Sequence, residues 1–400
     1  MTPLAPAPAS HPRFWSLDAL RGVCALVVFL SHWHVWSNFL PRSAPERSLH
    51  AVLEWSHETL KWFTWPAGGN HPAVICFFVL SGFCIHYPFE RRWRESASSP
   101  LAWGDHFRRR FWRIMPVYWI AALLGIALVS AEALRPTGSA LFVLNTFAPP
   151  EHIVARLLGV TGFYPQEVLA GNSPLNTVGV EIVVYLAYPW FHFYAVKGRW
   201  LALGLITLGL EAAGLALLAW ITPFWIFNSV FMLGIFWWAG AFAAHRIVRH
   251  GTRSYARELV LAWAGFLALK TLPTFFGLGT LTQNAWGLVC VFGILQCLHV
   301  EKKSPEWCAT LPMLVLRYAG RISYSLYAVH TPTMLLATWA LYVSGNTSYS
   351  AQLAATLLLS LAATLVVHYG IERIFYRPHP SPLVPPRYDT PRTGCLPTQS

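Results

Sequence analysis

The sequence predicts an all-α membrane protein, a polytopic bundle of about ten transmembrane helices with both termini cytoplasmic. Three observations carry that prediction. Hydrophobic residues make up 55% of the 400 residues and charged residues only 12%, roughly half the charged share of a soluble domain. Apolar runs recur end to end with short polar joints between them, and mean hydropathy is +0.44. Basic residues gather in alternate joints. The net charge of +12 would suit nucleic acid, but the cations sit in short clusters between apolar spans, where membrane topology accounts for them.

The expected spans are 17–39, 71–89, 111–131, 175–195, 200–220, 224–244, 257–272, 281–300, 319–343 and 351–371. Arg91, Arg92, Arg94, Arg108, Arg109 and Arg110 lie between the second and third. Lys197 and Arg199 follow the fourth, and Arg246, Arg249 and Arg253 the sixth. Lys302, Lys303, Arg317 and Arg321 lie between the eighth and ninth, and Arg373 and Arg377 follow the tenth. Joints 221–223, 273–280 and 344–350 carry no basic residue, and 40–70 and 132–174 balance theirs with glutamates. The positive-inside rule then puts both termini in the cytoplasm. Segment 1–13 is Pro/Ala-rich and 378–400 Pro-rich, so both read as disordered tails around a 14–377 membrane domain. No small-residue cleavage site follows the first span, which reads as a retained helix. The cysteines show no CxxC pair and read as small apolar side chains.

In the first span, FWSLDALRGVCALVVFLSHWH, Arg21 and His32 project from one face, about 16 Å apart along the axis. Both are costly in a bilayer unless they face protein or a watery cavity. Asp18, one turn before Arg21, is placed to pair with it. Ser81 and Gly82 in the second span sit where another backbone can approach closely. Arg110 and Arg113 share a face at the cytoplasmic boundary of the third span and form a forked donor site suited to phosphates, or a cluster that touches lipid headgroups. Glu181, two turns into the fourth span, needs a partner or a proton. Tyr324, Tyr327 and His330 in the ninth form a stripe that could line a polar cavity or hold a structural histidine. His32 and His34 form an HxH pair without evident further ligands, so no metal is expected.

LDALRG with Arg-x10-His, FFVLSGF, Arg110-x-x-Arg113 ahead of Pro116, VGVEIVVYLAYP, GRISYSLYAVH and a closing IERIF occur here in order. This ordered set resembles the membrane acyltransferase-3 family over nearly the whole chain. The resemblance implies a ten-helix protein of the bacterial inner (cytoplasmic) membrane that moves an acyl group, commonly acetyl, from cytoplasmic acyl-CoA to a hydroxyl. Acceptors in the family include cell-surface polysaccharides, peptidoglycan, lipid-linked sugars and secondary metabolites. The family's Arg-x10-His falls on Arg21 and His32 and its Arg-x-x-Arg on Arg110 and Arg113. The fourth-span motif departs: Val180 and Ile182 flank Glu181, where relatives often carry Trp or Ser before the glutamate and a polar residue after it. No appended esterase domain is expected.

The implied mechanism docks acyl-CoA with its phosphates on Arg110, Arg113 and Arg21, while Asp18 holds Arg21. His32 then serves as general base on the acceptor hydroxyl or carries the acyl group as acyl-imidazole. Glu181 or His330 orients His32 or the acceptor, and the 132–174 joint is the expected seat of acceptor selectivity. A different class of function, a transporter or flippase using the intramembrane His, Glu and Arg as a path, fits the same polar residues but lacks the internal repeats of many transporters.

Overall fold

The computed structural model describes residues 14–36, 43–95, 103–133, 154, 157–159, 172–218, 220, 226, 228–272, 278–345 and 348–375. Every regular element among the described residues is helical: α1 (Trp15–Trp36), α2 (Ala44–Thr64), α3 (Pro72–Glu95), α4 (Trp103–Ala133), α5 (Leu175–Val196), α6 (Trp200–Leu217), α7 (Val230–His250), α8 (Ala256–Lys270), α9 (Leu278–Lys303), α10 (Leu311–Val343) and α11 (Tyr349–Val367). A π-helical turn, His368–Glu372, extends α11. The expected tails 1–13 and 378–400 lie outside the described residues, as does nearly all of 132–174.

Each expected span coincides with a helix. Among the described residues seven helices, α1, α3, α4, α6, α7, α9 and α11, are long and apolar enough to cross a membrane. The other three depart from that pattern for visible reasons. Helix α8 has only 15 residues, short of the ~20 a straight span needs. Polar residues Asn176, Glu181 and His192 dilute α5, and Arg317 and Arg321 at its start together with His330, Thr331, Thr333 and Thr338 further along dilute α10.

Helix α2 is the element absent from the sequence expectation, which left 40–70 as a joint. Pro45 opens it, and Glu46 in its first turn accepts from the Ser43 backbone N–H at 2.8 Å. Leu49, Val52, Trp55, Leu60, Trp62 and Phe63 remain exposed along it, the character of a helix lying at an interface rather than crossing it.

Two helix pairs set the frame, and both run parallel. A Cβ on Gly22 of α1 would lie 2.0 Å from the Leu316 carbonyl oxygen of α10, and one on Gly320 would lie 1.8 Å from that of Asp18. Ten residues further along each helix, His32 meets His330. The same device joins α3 to α7, where a Cβ on Gly82 would lie 2.0 Å from the Trp237 oxygen and one on Gly240 1.9 Å from that of Val79. Small residues allow this backbone-to-backbone approach, which substitutes for hydrophobic drive between helices in lipid.

Both ends of α1 are anchored by side chains from elsewhere. At its start the carboxylate of Glu301, buried on α9, accepts from the backbone N–H groups of Trp15 at 2.9 Å and Ser16 at 3.0 Å. It thereby satisfies orphan donors and opposes the helix dipole. Toward its end Trp33 Nε1 donates to the Leu353 carbonyl of α11 at 3.1 Å. In α10, Pro332 cannot donate to the Ala328 carbonyl, and Asn172 Nδ2 takes that place at 2.8 Å.

Candidate active site

Three histidines from three elements meet at the junction of α1, α3 and α10. His32 Nδ1 lies 2.8 Å from His330 Nε2, and the His32 and His71 rings stack at 6.5 Å between centroids. The hydrogen-bond network assigns their tautomers. His330 Nδ1 lies 3.0 Å from the Leu326 carbonyl, which can only accept, so this nitrogen carries the proton and Nε2 is the acceptor. His32 Nδ1–H therefore donates to His330, which leaves the lone pair on His32 Nε2. His71 Nδ1 accepts from the Ala73 backbone N–H at 3.2 Å, so its Nε2–H donates to Ser31 Oγ, also at 3.2 Å. Ser31 in turn donates to the Val27 carbonyl at 2.7 Å.

His330 is fully buried, whereas His32 is half-buried. A basic nitrogen with a fixed orientation thus sits at the edge of the bundle interior, backed by an acceptor that would stabilise an imidazolium.

Sequence reasoning missed His71, which stood at the boundary of an expected span. The turn before it could have signalled a site. Gly68 and Gly69 have φ of 105° and 90°, a region that β-carbons disfavour, and a Cβ on Gly69 would lie 2.1 Å from the Gln283 side chain. Gln283 Oε1 accepts from Asn70 N at 3.0 Å and Asn70 Nδ2 at 3.1 Å, which fixes the approach to His71. Outside the spans, α2 closes over this corner. Trp65 packs on His71 at 4.2 Å, His57 packs on Trp65 at 5.7 Å, and His57 stacks on His34 at 4.7 Å. Burial pushes the His57 imidazole below its ordinary value, and His34 and Lys61 add to the shift.

The Tyr324, Tyr327 and His330 stripe does not face one cavity. Steps of three residues turn a helix by about 300°, so the side chains splay onto three neighbours. Tyr324 donates to the Ile114 carbonyl of α4 at 2.7 Å, Tyr327 shares a 2.6 Å bond with Thr177 of α5, and His330 turns to α1.

Glu181 belongs to a second polar group. It accepts from Ser81 Oγ of α3 at 2.9 Å and from the Tyr185 hydroxyl one turn along α5. The Arg110 guanidinium stands over the Tyr185 ring, 5.3 Å from its centroid. The structure thus joins Glu181 to the arginine end of the bundle. Among the described residues, His32 is oriented by His330 and not by Glu181.

Arg110 and Arg113 are half-buried whereas Arg108 and Arg109 are exposed, so the pair shares the inward face as its spacing predicts. Arg21 and Asp18 form a 3.0 Å ion pair, also partly buried. Glu372 of the IERIF motif, to which the sequence alone assigned no role, accepts from Ser325 at 2.6 Å and pairs with His368 at 2.8 Å within the π turn.

Comparison with known proteins bears on this arrangement. Residues 14–371 match the family model of the acyltransferase-3 group, described as an acyltransferase domain. No curated protein and no solved structure matches the chain. The matched region contains the three histidines, Glu181 and the arginines described above, and the chain belongs to the acyltransferase-3 family of membrane proteins.

Proposed function

We propose that this protein is an O-acyltransferase of the cytoplasmic membrane, with ten spans and cytoplasmic termini. It moves an acyl group, acetyl in the first instance, from cytoplasmic acyl-CoA to a hydroxyl of a glycan, lipid-linked sugar or secondary metabolite. The observation that carries the reading is His32, whose Nδ1 proton is committed to His330 at 2.8 Å so that Nε2 is left as a base.

Arg110, Arg113 and Arg21 hold the donor's phosphates at the cytoplasmic end, and Asp18 fixes Arg21 through its ion pair. The pantetheine arm runs up the bundle and covers the axial rise of about 16 Å from Arg21 to His32. As general base, His32 Nε2 takes the acceptor's hydroxyl proton while the oxygen attacks the thioester carbonyl. The carbon–sulfur bond breaks, and the CoA thiolate leaves and recovers the proton. In the relay form, Nε2 itself attacks the thioester, and the acyl-imidazole then passes its acyl group to the acceptor. Both forms need the same free nitrogen. Glu181, tethered by Ser81 and Tyr185, belongs on the donor side of this path, beside Arg110.

Thiol release from acetyl-CoA by purified, detergent-solubilised protein, with no ion gradient present, tests the reading. Release that falls at least tenfold in Arg113→Ala at subsaturating donor supports it. Absence of release with every hydroxyl acceptor class supplied would remove it.

A further inference from the structure

A second histidine group lies away from His32, where α3 and α7 run side by side. His86 and Glu90 stand one turn apart on α3, and His245 faces them from α7. His86 Nε2 lies 3.4 Å from Glu90 Oε2, and His245 Nδ1 lies 2.8 Å from Glu90 Oε1. One ligand atom from each of the three residues falls within 4.8 Å of the others. Tetrahedral zinc with nitrogen and oxygen ligands places donor atoms about 3.3 Å apart, and each imidazole nitrogen already lies near that distance from one oxygen of the carboxylate.

The hydrogen bonds of the protein do not use up the polar atoms here. His86 is 0% exposed, and the long 3.4 Å contact with Glu90 is poorly aligned for a hydrogen bond to its Nε2. The rings of His192 and Trp200 pack around His86, with centroids 6.1 Å and 5.1 Å from it, and His192 Nδ1 and Trp200 Nε1 are also buried without partners. Buried polar atoms that the protein's own hydrogen bonds leave incompletely satisfied call for an explanation. The other face of His86 is prepared for ligation: its Nδ1 lies 3.1 Å from the Tyr188 hydroxyl. Once a cation displaces the Nε2 proton that faces Glu90, Nδ1–H can donate to that hydroxyl, an outer-shell contact of the kind that orients a metal-bound imidazole.

We propose that His86, Glu90 and His245 form a binding site for a divalent transition cation of the zinc class, clamping α3 to α7. Two imidazoles and one carboxylate suit that class rather than magnesium or calcium. On binding, His245 Nδ1 gives up the proton it now shares with Glu90. Arg249, half-exposed with Nε 3.4 Å from Glu90 Oε1, swings out from the carboxylate it otherwise neutralises. The fourth position is left to water on the Arg249 side, which is also the way in. The sequence carried a signal for this site, His and Glu four residues apart in one helix, but the second histidine comes from a helix far along the chain.

The test uses full-length protein purified with a histidine-free affinity tag, stripped with chelator and titrated with Co²⁺ alone. The proposal expects the visible absorption of tetrahedral cobalt, saturating at about one ion per chain and displaced by Zn²⁺. His245→Ala and Glu90→Gln should each weaken binding at least tenfold, while His250→Ala, on the exposed helix end, should leave it unchanged. If Glu90→Gln fails to fold, the wild-type spectrum and His245→Ala still decide. No tetrahedral absorption in the wild type, or equal binding by His245→Ala, would overturn the proposal.

Discussion

Substituting Gly22 by alanine should disable the site from a distance. The new Cβ would meet the Leu316 carbonyl oxygen at 2.0 Å, and backbone cannot rotate aside as a side chain would. Restoring ordinary contact near 3.4 Å moves α1 and α10 apart by about 1.4 Å. Because the two helices run in register from Gly22 and Gly320 to His32 and His330, the separation carries to the histidine pair. The 2.8 Å bond between them would then lengthen to about 4 Å and cease to be a hydrogen bond. Misplacement of this size costs about a hundredfold in rate, and the overpacking itself costs about 1–3 kcal/mol of stability. Acetyl-CoA turnover by folded, purified Gly22→Ala measures the first effect. Gly293→Ala, whose Cβ meets nothing within 4 Å, is the control. Wild-type turnover in Gly22→Ala would refute the claim that the close helix approach positions His32.

Three further outcomes follow from particular contacts. His330→Ala should lower kcat by about 10²-fold with little change in the donor KM. His330→Gln, which can still offer an acceptor near the Nε2 position, should recover part of that loss, and equal rates for the two variants would deny His330 a positioning role. Glu301→Gln should cost about 1–2 kcal/mol by weakening the cap on α1, read as a lowered Tm in detergent. Backbone N–H groups of Ser350 and Ser43 hold the Glu46 carboxyl down, from an ordinary value of 4.5 to about 2. Its contribution to stability is therefore complete above pH 4.5 and lost as pH falls toward 2. Glu46→Gln should flatten the acid limb of Tm against pH over that window, and an unchanged limb would count against the tie between α2 and α11.

The helices were legible because a long apolar run with few charges suits little besides a membrane span, and the Asp18–Arg21 pair because one turn of helix brings them together. Gly82 was also readable as a point of close approach, and it meets Trp237 of α7. Helix α2 escaped because an amphipathic segment with glutamates, histidines and a lysine looks like a joint unless its period is counted. The parallel pairing of α1 with α10, and hence the bond from His32 to His330, depends on contacts across most of the chain. The neighbours of Glu181 were out of reach for the same reason: nothing local to NTVGVEIVVY names Ser81 as its donor. His71 was hidden by its place in a turn, where the Gly68–Gly69 geometry rather than any helical spacing delivers it to the site.

The most direct measurement compares wild type and His32→Ala for two quantities in the same preparation, acetyl-CoA turnover and CoA affinity. If His32 supplies the reactive nitrogen, turnover falls by at least about 10³-fold while CoA binds with unchanged affinity through the arginine end. Turnover within tenfold of wild type, or an affinity that falls in step with it, would contradict the central claim.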